Sequence, residues 1–251
     1  MRLLQGSLLA LLTLLASWAV CAENPPMSPF RVVTAELRPF AVDNQPAAPG
    51  LTVELTEAIC VKVGAPAKIE FYPWARAYAL ALADPRVAVI PLTRTPPREA
   101  RFQWLVRLYR QQYVFITKID KPPITSIDEA RKVKRIGVLR GSPTADFAES
   151  DHFPLSSILK NNSVEAGLKD LDAGIVDTYY GGEAITKETI RSTHRKLADY
   201  HIGVAMGGGD IWLAASGGFS DSDVAALRKA FDELVNDGTY ARLLKKYDLP
   251  K

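Results

Sequence analysis

The sequence predicts an α/β protein in which a mostly parallel sheet is flanked by helices. Short apolar segments typical of buried strands alternate with segments whose apolar residues recur at helical spacing. The 251 residues are 47% hydrophobic and 24% charged, which is typical of a globular protein with a substantial core. The net charge of +3 is small and no basic stripe is present, so nucleic acid is not an expected partner.

The first 22 residues have the form of a secretory signal peptide. Arg2 supplies a positive charge, residues 8–15 are almost entirely apolar, and Val20-Cys21-Ala22 offers small residues for cleavage. Cys21 raises the alternative of a lipid anchor, but Val20 stands where lipid attachment requires Gly, Ala or Ser. We therefore expect cleavage after Ala22 and export to the periplasm.

Cleavage would leave Cys60 as the only cysteine of the mature chain, so no disulfide is expected. Cys60 lies in an apolar helical pattern, and a buried, inert thiol is expected there rather than a nucleophile.

The N-terminal half alternates strands and helices. Apolar and β-branched runs predict strands, and apolar residues at helical spacing predict the helices between them. The expected strands cover residues 31–36, 68–72 and 87–93, and the expected helices cover residues 52–63 and 73–82.

The C-terminal half continues this alternation. Ser126 and Ser142 are expected N-caps of short helices, and Pro143 occupies a first helical position where proline is tolerated. The remaining strands are expected at residues 113–117, 135–139 and 174–180, and the remaining helices at residues 163–171, 221–234 and 239–247.

The segment after the strand at residues 87–93 carries the strongest chemical signal. The strand ends at Thr93, two prolines open a short helix, and Arg98 falls in its first turn. A guanidinium beside free backbone N–H groups and a threonine hydroxyl can bind a carboxylate. The alternative is an arginine on a solvated loop, since charged side chains are mostly exposed.

Five segments in order along the chain resemble one protein family. These segments are residues 31–40, Gly50-Leu51-Thr52-Val53-Glu54-Leu55, Trp74, Thr93-x-Thr95-x-x-Arg98 and residues 237–247. Together they resemble the periplasmic solute-binding proteins of polar amino-acid ABC importers, extracellular solute-binding protein family 3.

The resemblance implies two lobes joined by two crossing hinge strands, with a ligand cleft that closes on binding. Lobe 1 would comprise residues 28–110 and 211–251, and lobe 2 residues 111–210. It further implies a monomer that binds a small carboxylate ligand, most simply an amino acid or a relative, and delivers it to an inner-membrane ABC permease. No cofactor and no metal are implied.

The resemblance also indicates which residues contact the ligand. Arg98 would hold the ligand carboxylate, and Thr93 would add a hydroxyl or carbonyl. Trp74 would either stack on the ligand or belong to the core. The remaining expected contacts are Gly141 and Ser142 at a helix N-terminus, with Glu36 in the opening loop.

One departure from the family pattern concerns the partner of an α-ammonium. Gly182 stands where the family commonly has an aspartate, and Glu183 follows it. Glu183 could take over this role, or it could simply favour the first turn of a helix.

Two other functions are alternatives to solute binding. A secreted cyclohexadienyl dehydratase-like enzyme would use Arg98 for a carboxylate and Glu183 as general acid. A sensor domain normally belongs to a longer membrane-anchored chain, whereas this sequence ends at Lys251, which favours a free binding protein. The three histidines are scattered without metal-ligand spacing, and no catalytic residues are expected.

Mass spectrometry of the exported protein tests the signal prediction. Cleavage after Ala22 should give a mature chain that begins at Glu23 and carries no lipid. A mature chain that begins at a lipid-modified Cys21 would contradict it.

Overall fold

The computed structural model describes residues 27–250. The predicted signal peptide and its cleavage site lie outside these residues. Within residues 27–250, no helix combines the length and apolar character needed to cross a bilayer.

The described residues form nine strands and eight α-helices. The strands are β1 (Arg31–Thr34), β2 (Lys68–Phe71), β3 (Val87–Thr93), β4 (Gln103–Lys118), β5 (Ile136–Leu139), β6 (Ile158–Asn161), β7 (Thr178–Gly182), β8 (Tyr200–Ile202) and β9 (Gly208–Ala215). The helices are α1 (Leu51–Lys62), α2 (Trp74–Ala83), α3 (Ile127–Ala130), α4 (Pro143–Phe147), α5 (Val164–Asp172), α6 (Glu183–Ser192), α7 (Asp221–Asn236) and α8 (Thr239–Lys246). Residues Pro96–Arg101 form a 3₁₀ segment between β3 and β4.

The strands fall into two groups. In the first lobe, β1 pairs in parallel with β2 and β3, and β3 pairs antiparallel with β9. In the second lobe, β5 pairs in parallel with β6 and β7. The mixed α/β class predicted from the sequence is confirmed, while the residue boundaries of the two lobes stay a prediction.

The two groups are joined by β4. The first part of β4, from Gln103 to Gln112, pairs antiparallel with β9, and the part from Tyr113 onward pairs with β7 and β8. One strand therefore belongs to both lobes. The sequence predicted only its second part, because Arg107, Arg110 and the two glutamines interrupt the apolar pattern.

The prediction of a strand from Gly174 onward was wrong by four residues. Gly174 adopts a left-handed conformation with φ 68° and closes the turn after α5. The Asp177 carboxylate then accepts hydrogen bonds from the N–H groups of Lys134 and Arg135. Because this turn fixes the chain ahead of the sheet, β7 begins at Thr178.

Each lobe has an apolar interior of the kind that the sequence pattern predicts. In the first lobe, β3 is buried along its full length. In the second lobe, Phe115 of β4 stacks on Tyr180 of β7 with ring centroids 4.2 Å apart. Cys60 of α1 is buried, and burial raises the pKa of its thiol to about 12, which matches the inert thiol predicted from the sequence.

The start of α1 depends on close backbone contact with the turn after β1. Gly50 has φ 106°, and its N–H donates to the Tyr247 hydroxyl at 2.9 Å. A Cβ atom at this position would lie 2.4 Å from the carbonyl oxygen of Phe40. Only glycine satisfies both the backbone conformation and this contact.

Substituting Gly50 with alanine should therefore destabilise the protein. We expect Gly50→Ala to lower the free energy of unfolding by about 1–3 kcal/mol, measured by chemical denaturation, because the Cβ forces both strain and a backbone clash. Gly217→Ala is the matched control, since no atom lies within 4 Å of a Cβ there. Equal stability of the two variants would contradict this account.

Candidate functional site

The Arg98 side chain is buried where the two lobes meet. Arg98 is 2% exposed and lies on the 3₁₀ segment that follows β3. Its Nη2 donates to the carbonyl oxygen of Gly141 at 2.8 Å and to Oδ2 of Asp146 at 3.2 Å. Its Nη1 donates to the carbonyl oxygen of Thr93 at 3.3 Å. The guanidinium therefore binds one group of its own lobe and two of the other.

Part of the Arg98 guanidinium has no partner. Nε is buried and makes no hydrogen bond within the described residues. The ring of Tyr78 lies 5.2 Å from the guanidinium carbon, close enough for a cation–π interaction. Unused donor capacity in a buried arginine is consistent with a further acceptor being bound there.

The Gly141 carbonyl is the meeting point of the two lobes. Gly141 has φ 69° in the turn between β5 and α4, a conformation that favours glycine. Besides Arg98, its oxygen accepts a hydrogen bond from Nε1 of Trp74 at 2.9 Å. Since Trp74 and Arg98 both belong to the first lobe, these bonds hold the lobes in a closed arrangement.

The turn after β5 continues as the sequence predicted. Ser142 is the N-cap of α4, and its hydroxyl oxygen accepts a hydrogen bond from the Ala145 N–H. Pro143 takes the first helical position, and Asp146 follows one turn later. A regular cap therefore places Asp146 opposite Arg98.

A small cavity lies between the lobes beside this contact. Its volume is about 50 Å³, and it is lined by residues of both lobes and of the connecting strand β4. The lining side chains with polar atoms are Trp74, Thr93, Gln111, Tyr113, Ser142, Thr144 and Tyr179. None of the described residues that line it is an aspartate, glutamate, lysine, arginine or histidine.

Only some of the polar groups in the cavity form hydrogen bonds with one another. Nε2 of Gln111 donates to the Thr93 hydroxyl oxygen at 3.1 Å, and the Ser142 and Thr144 hydroxyls lie 2.9 Å apart. Oε1 of Gln111 and the Tyr113 hydroxyl are buried and make no hydrogen bond within residues 27–250. Burial raises the pKa of Tyr113, so its hydroxyl remains a protonated donor.

Five of the predicted site residues line this cavity or lie beside it in the structure. Thr93, Trp74 and Ser142 line the cavity. Gly141 lies beside it and contributes its carbonyl rather than its N–H to the lobe contact. Arg98 is adjacent, connected to the cavity wall through Thr93.

Glu36 lies farther out. It lines a wider groove of about 410 Å³ between the lobes, which shares Leu37, Trp74, Leu139 and Val164 with the small cavity. Oε2 of Glu36 accepts from the Asp43 N–H at 2.7 Å, and Oε1 pairs with Arg38 at 2.7 Å. Glu36 therefore belongs to the mouth of the cleft and not to its interior.

Glu183 does not line the small cavity. Gly182, the last residue of β7, lines the cavity, and the chain then turns into α6. The Glu183 carboxylate pairs with Lys187 one turn later and faces a different cavity of about 450 Å³, near Arg191 and Asp248. We therefore leave Glu183 out of the candidate site.

Three residues of the site were not predicted: Asp146, Gln111 and Tyr113. Gln111 and Tyr113 are two positions apart on β4, so their side chains share one face of the strand. The sequence feature that could have indicated them is their polarity within a strand that crosses between the lobes. For Asp146, the sequence shows only an acidic residue in the first turn of a helix, which does not indicate a contact with Arg98.

Comparison with known proteins agrees with this architecture. A sequence model of the bacterial extracellular solute-binding proteins, family 3, matches residues 30–250. The chain belongs to this family. Comparison with curated protein sequences found no significant match.

Solved structures similar to this solute-binding protein share its two-lobe fold. The GluR0 ligand-binding core from Nostoc punctiforme, in complex with L-glutamate, has a TM-score of 0.76 at 20% identity, covering 88% of this chain and 100% of its own. The substrate-binding protein of an amino acid ABC transporter has a TM-score of 0.72 at 19% identity, covering 87% and 98%. The ancestral amino acid-binding protein AncCDT-1, a precursor of cyclohexadienyl dehydratase, has a TM-score of 0.74 at 15% identity, covering 87% and 95%.

Removing the Asp146 charge should loosen the closed arrangement of the ligand-free protein. The ion pair joins a nearly buried Arg98 to an aspartate side chain that is 37% exposed, so its net contribution is about 1–2 kcal/mol. We expect Asp146→Asn to shift the closed-to-open ratio roughly 5- to 30-fold toward open. Small-angle X-ray scattering should then give a larger radius of gyration than for the wild type.

The matched control is Asp128→Asn. Asp128 lies on α3, is mostly exposed, and pairs only with Arg131 of its own lobe. Its substitution should leave the radius of gyration unchanged. An Asp146→Asn variant as compact as wild type would show that the ion pair does not hold the lobes together.

Proposed function

We propose that this protein is the periplasmic substrate-binding protein of an ABC importer and that it binds a small carboxylate-bearing solute between its lobes. Membership of family 3 supports a solute-binding role, and a structural neighbour is the substrate-binding protein of an amino acid ABC transporter. The closed protein would then deliver its solute to a permease in the inner membrane.

The observation that carries this proposal is the environment of Arg98. A guanidinium that is 2% exposed requires nearby negative charge, because an uncompensated buried charge is strongly unfavourable. Here the compensation comes from the Asp146 carboxylate and two backbone carbonyl oxygens. Arg98 therefore already binds one carboxylate, that of Asp146. A planar guanidinium can also donate hydrogen bonds to both oxygens of a ligand carboxylate.

Binding then becomes an exchange of partners. When the lobes open, Arg98 and Trp74 separate from the Gly141 carbonyl, and Arg98 becomes accessible. The ligand carboxylate replaces the protein's own acceptors, and closure removes water, which strengthens the charged hydrogen bonds. We expect a dissociation constant near 1 µM or below, about −8 kcal/mol, net of the free energy of closure.

The acid that the dehydratase alternative assigns to Glu183 does not lie at the small cavity. Elimination of water requires a group that protonates the leaving hydroxyl. The Glu183 carboxylate faces another cavity, and no carboxyl group belongs to the described residues that line the small cavity. Formation of phenylpyruvate from prephenate by the purified protein would overturn the binding proposal.

Removing the Arg98 side chain should abolish binding while the protein stays folded. We expect Arg98→Ala to weaken carboxylate binding at least 100-fold, about 2.7 kcal/mol, because two charge-assisted hydrogen bonds are lost. Arg98→Lys should recover only part of the affinity, since an ammonium cannot bind both oxygens. Isothermal titration calorimetry with a panel of short carboxylates and amino acids measures this.

Arg94→Ala serves as the control for this experiment. Arg94 lies four residues earlier, is partly exposed, and pairs with Glu99 away from the cavity. Its removal should leave affinity unchanged. Wild-type affinity in Arg98→Ala, with circular dichroism showing a folded protein, would contradict the proposed role of Arg98.

A further inference from the structure

The small cavity is lined by polar groups that carry no charge. The described residues that line it contribute five hydroxyls, one amide and the indole N–H of Trp74 as polar side-chain groups. Arg98 and Asp146 bind each other beside the cavity, and neither lines it. A ligand group that enters the cavity beyond the bound carboxylate therefore meets neutral dipoles only.

An ammonium group would be poorly accommodated there. Transfer of a cation from water into a desolvated cavity is unfavourable unless an anion compensates it. The Asp146 side chain is 37% exposed and outside the cavity wall, so it remains solvated when a ligand takes its place on Arg98. An α-amino acid would lose the hydration of its ammonium without gaining a carboxylate partner.

A hydroxyl or keto oxygen would match the unpaired groups. The buried Tyr113 hydroxyl is a free donor, and the buried Oε1 of Gln111 is a free acceptor within the described residues. A ligand hydroxyl can accept from the first and donate to the second, and a keto oxygen can accept from Tyr113. The Thr93 hydroxyl already accepts from Gln111, so its own hydrogen is available as a further donor.

The size of the cavity limits the ligand. At 50 Å³ it holds about four water-sized groups at roughly 10–15 Å³ each. A short carbon chain therefore fits within this cavity.

We propose that the protein selects short-chain 2-hydroxy- or 2-oxocarboxylates over the α-amino acids of the same carbon skeleton. This inference rests on the proposed function, because it takes the carboxylate on Arg98 as given. It concerns the substituent on the carbon next to the carboxylate, to which Gln111 and Tyr113 would form hydrogen bonds.

Matched ligands test the selection by titration calorimetry. The probes are two sets that differ only at the 2-position: glycolate, glyoxylate and glycine, and then L-lactate, pyruvate and L-alanine. We expect the hydroxy or oxo member of at least one set to bind 10-fold or more tightly than the amino acid. Binding of at least one probe without such a preference in either set would overturn this inference and leave carboxylate binding intact. Absence of binding by every probe would overturn both proposals.

A near-isosteric substitution tests the cause of the selection. Gln111→Glu would place a carboxylate where the unpaired amide oxygen lies, and it should reduce the preference for the hydroxy or oxo acid at least 10-fold. Gln112→Glu is the control, since Gln112 neighbours Gln111 on β4 but faces the other cavity, and it should preserve the preference. An unchanged preference in a folded Gln111→Glu variant would refute the charge argument. Should that variant fail to fold, the wild-type comparison still decides the inference.

Discussion

The closed arrangement of this protein depends on the need of one buried guanidinium for acceptors. Burial of the Arg98 guanidinium between the lobes is tolerable only when oxygen atoms surround it. In this structure the second lobe supplies two of them, the Gly141 carbonyl and the Asp146 carboxylate. Lobe closure and charge compensation are therefore one event, and a ligand carboxylate can take part in the same exchange.

The strand β4 determines which chemical groups meet at this point. Its first part pairs with β9 in one lobe and its second part with β7 in the other, so the residues at the crossover face the gap between them. Gln111 and Tyr113 occupy this crossover on one face of the strand, next to Thr93 at the end of β3. The uncharged character of the cavity follows from these few positions, whereas the charges of Arg98 and Asp146 lie beside it.

The sequence predicted the mixed α/β fold and singled out Arg98, which the structure buries between the lobes. It was least informative about contacts across the lobe interface. The alternation of strands and helices and the Ser142-Pro143 cap depend on local patterns, which a single sequence displays. The Arg98–Asp146 pair depends on how two lobes meet across 48 positions of sequence, and no local pattern reports that. Glu183 shows the converse case. Its neighbour Gly182 lines the cavity, yet one further residue at the start of α6 turns the carboxylate toward Lys187.

A crystal structure of the protein grown with a saturating carboxylate ligand tests the central claim most directly. The account predicts a closed protein in which both carboxylate oxygens of the ligand lie within hydrogen-bond distance of the Arg98 guanidinium, and in which Asp146 no longer contacts it. A ligand bound elsewhere, with Arg98 still held by Asp146 and the Gly141 carbonyl, would contradict it.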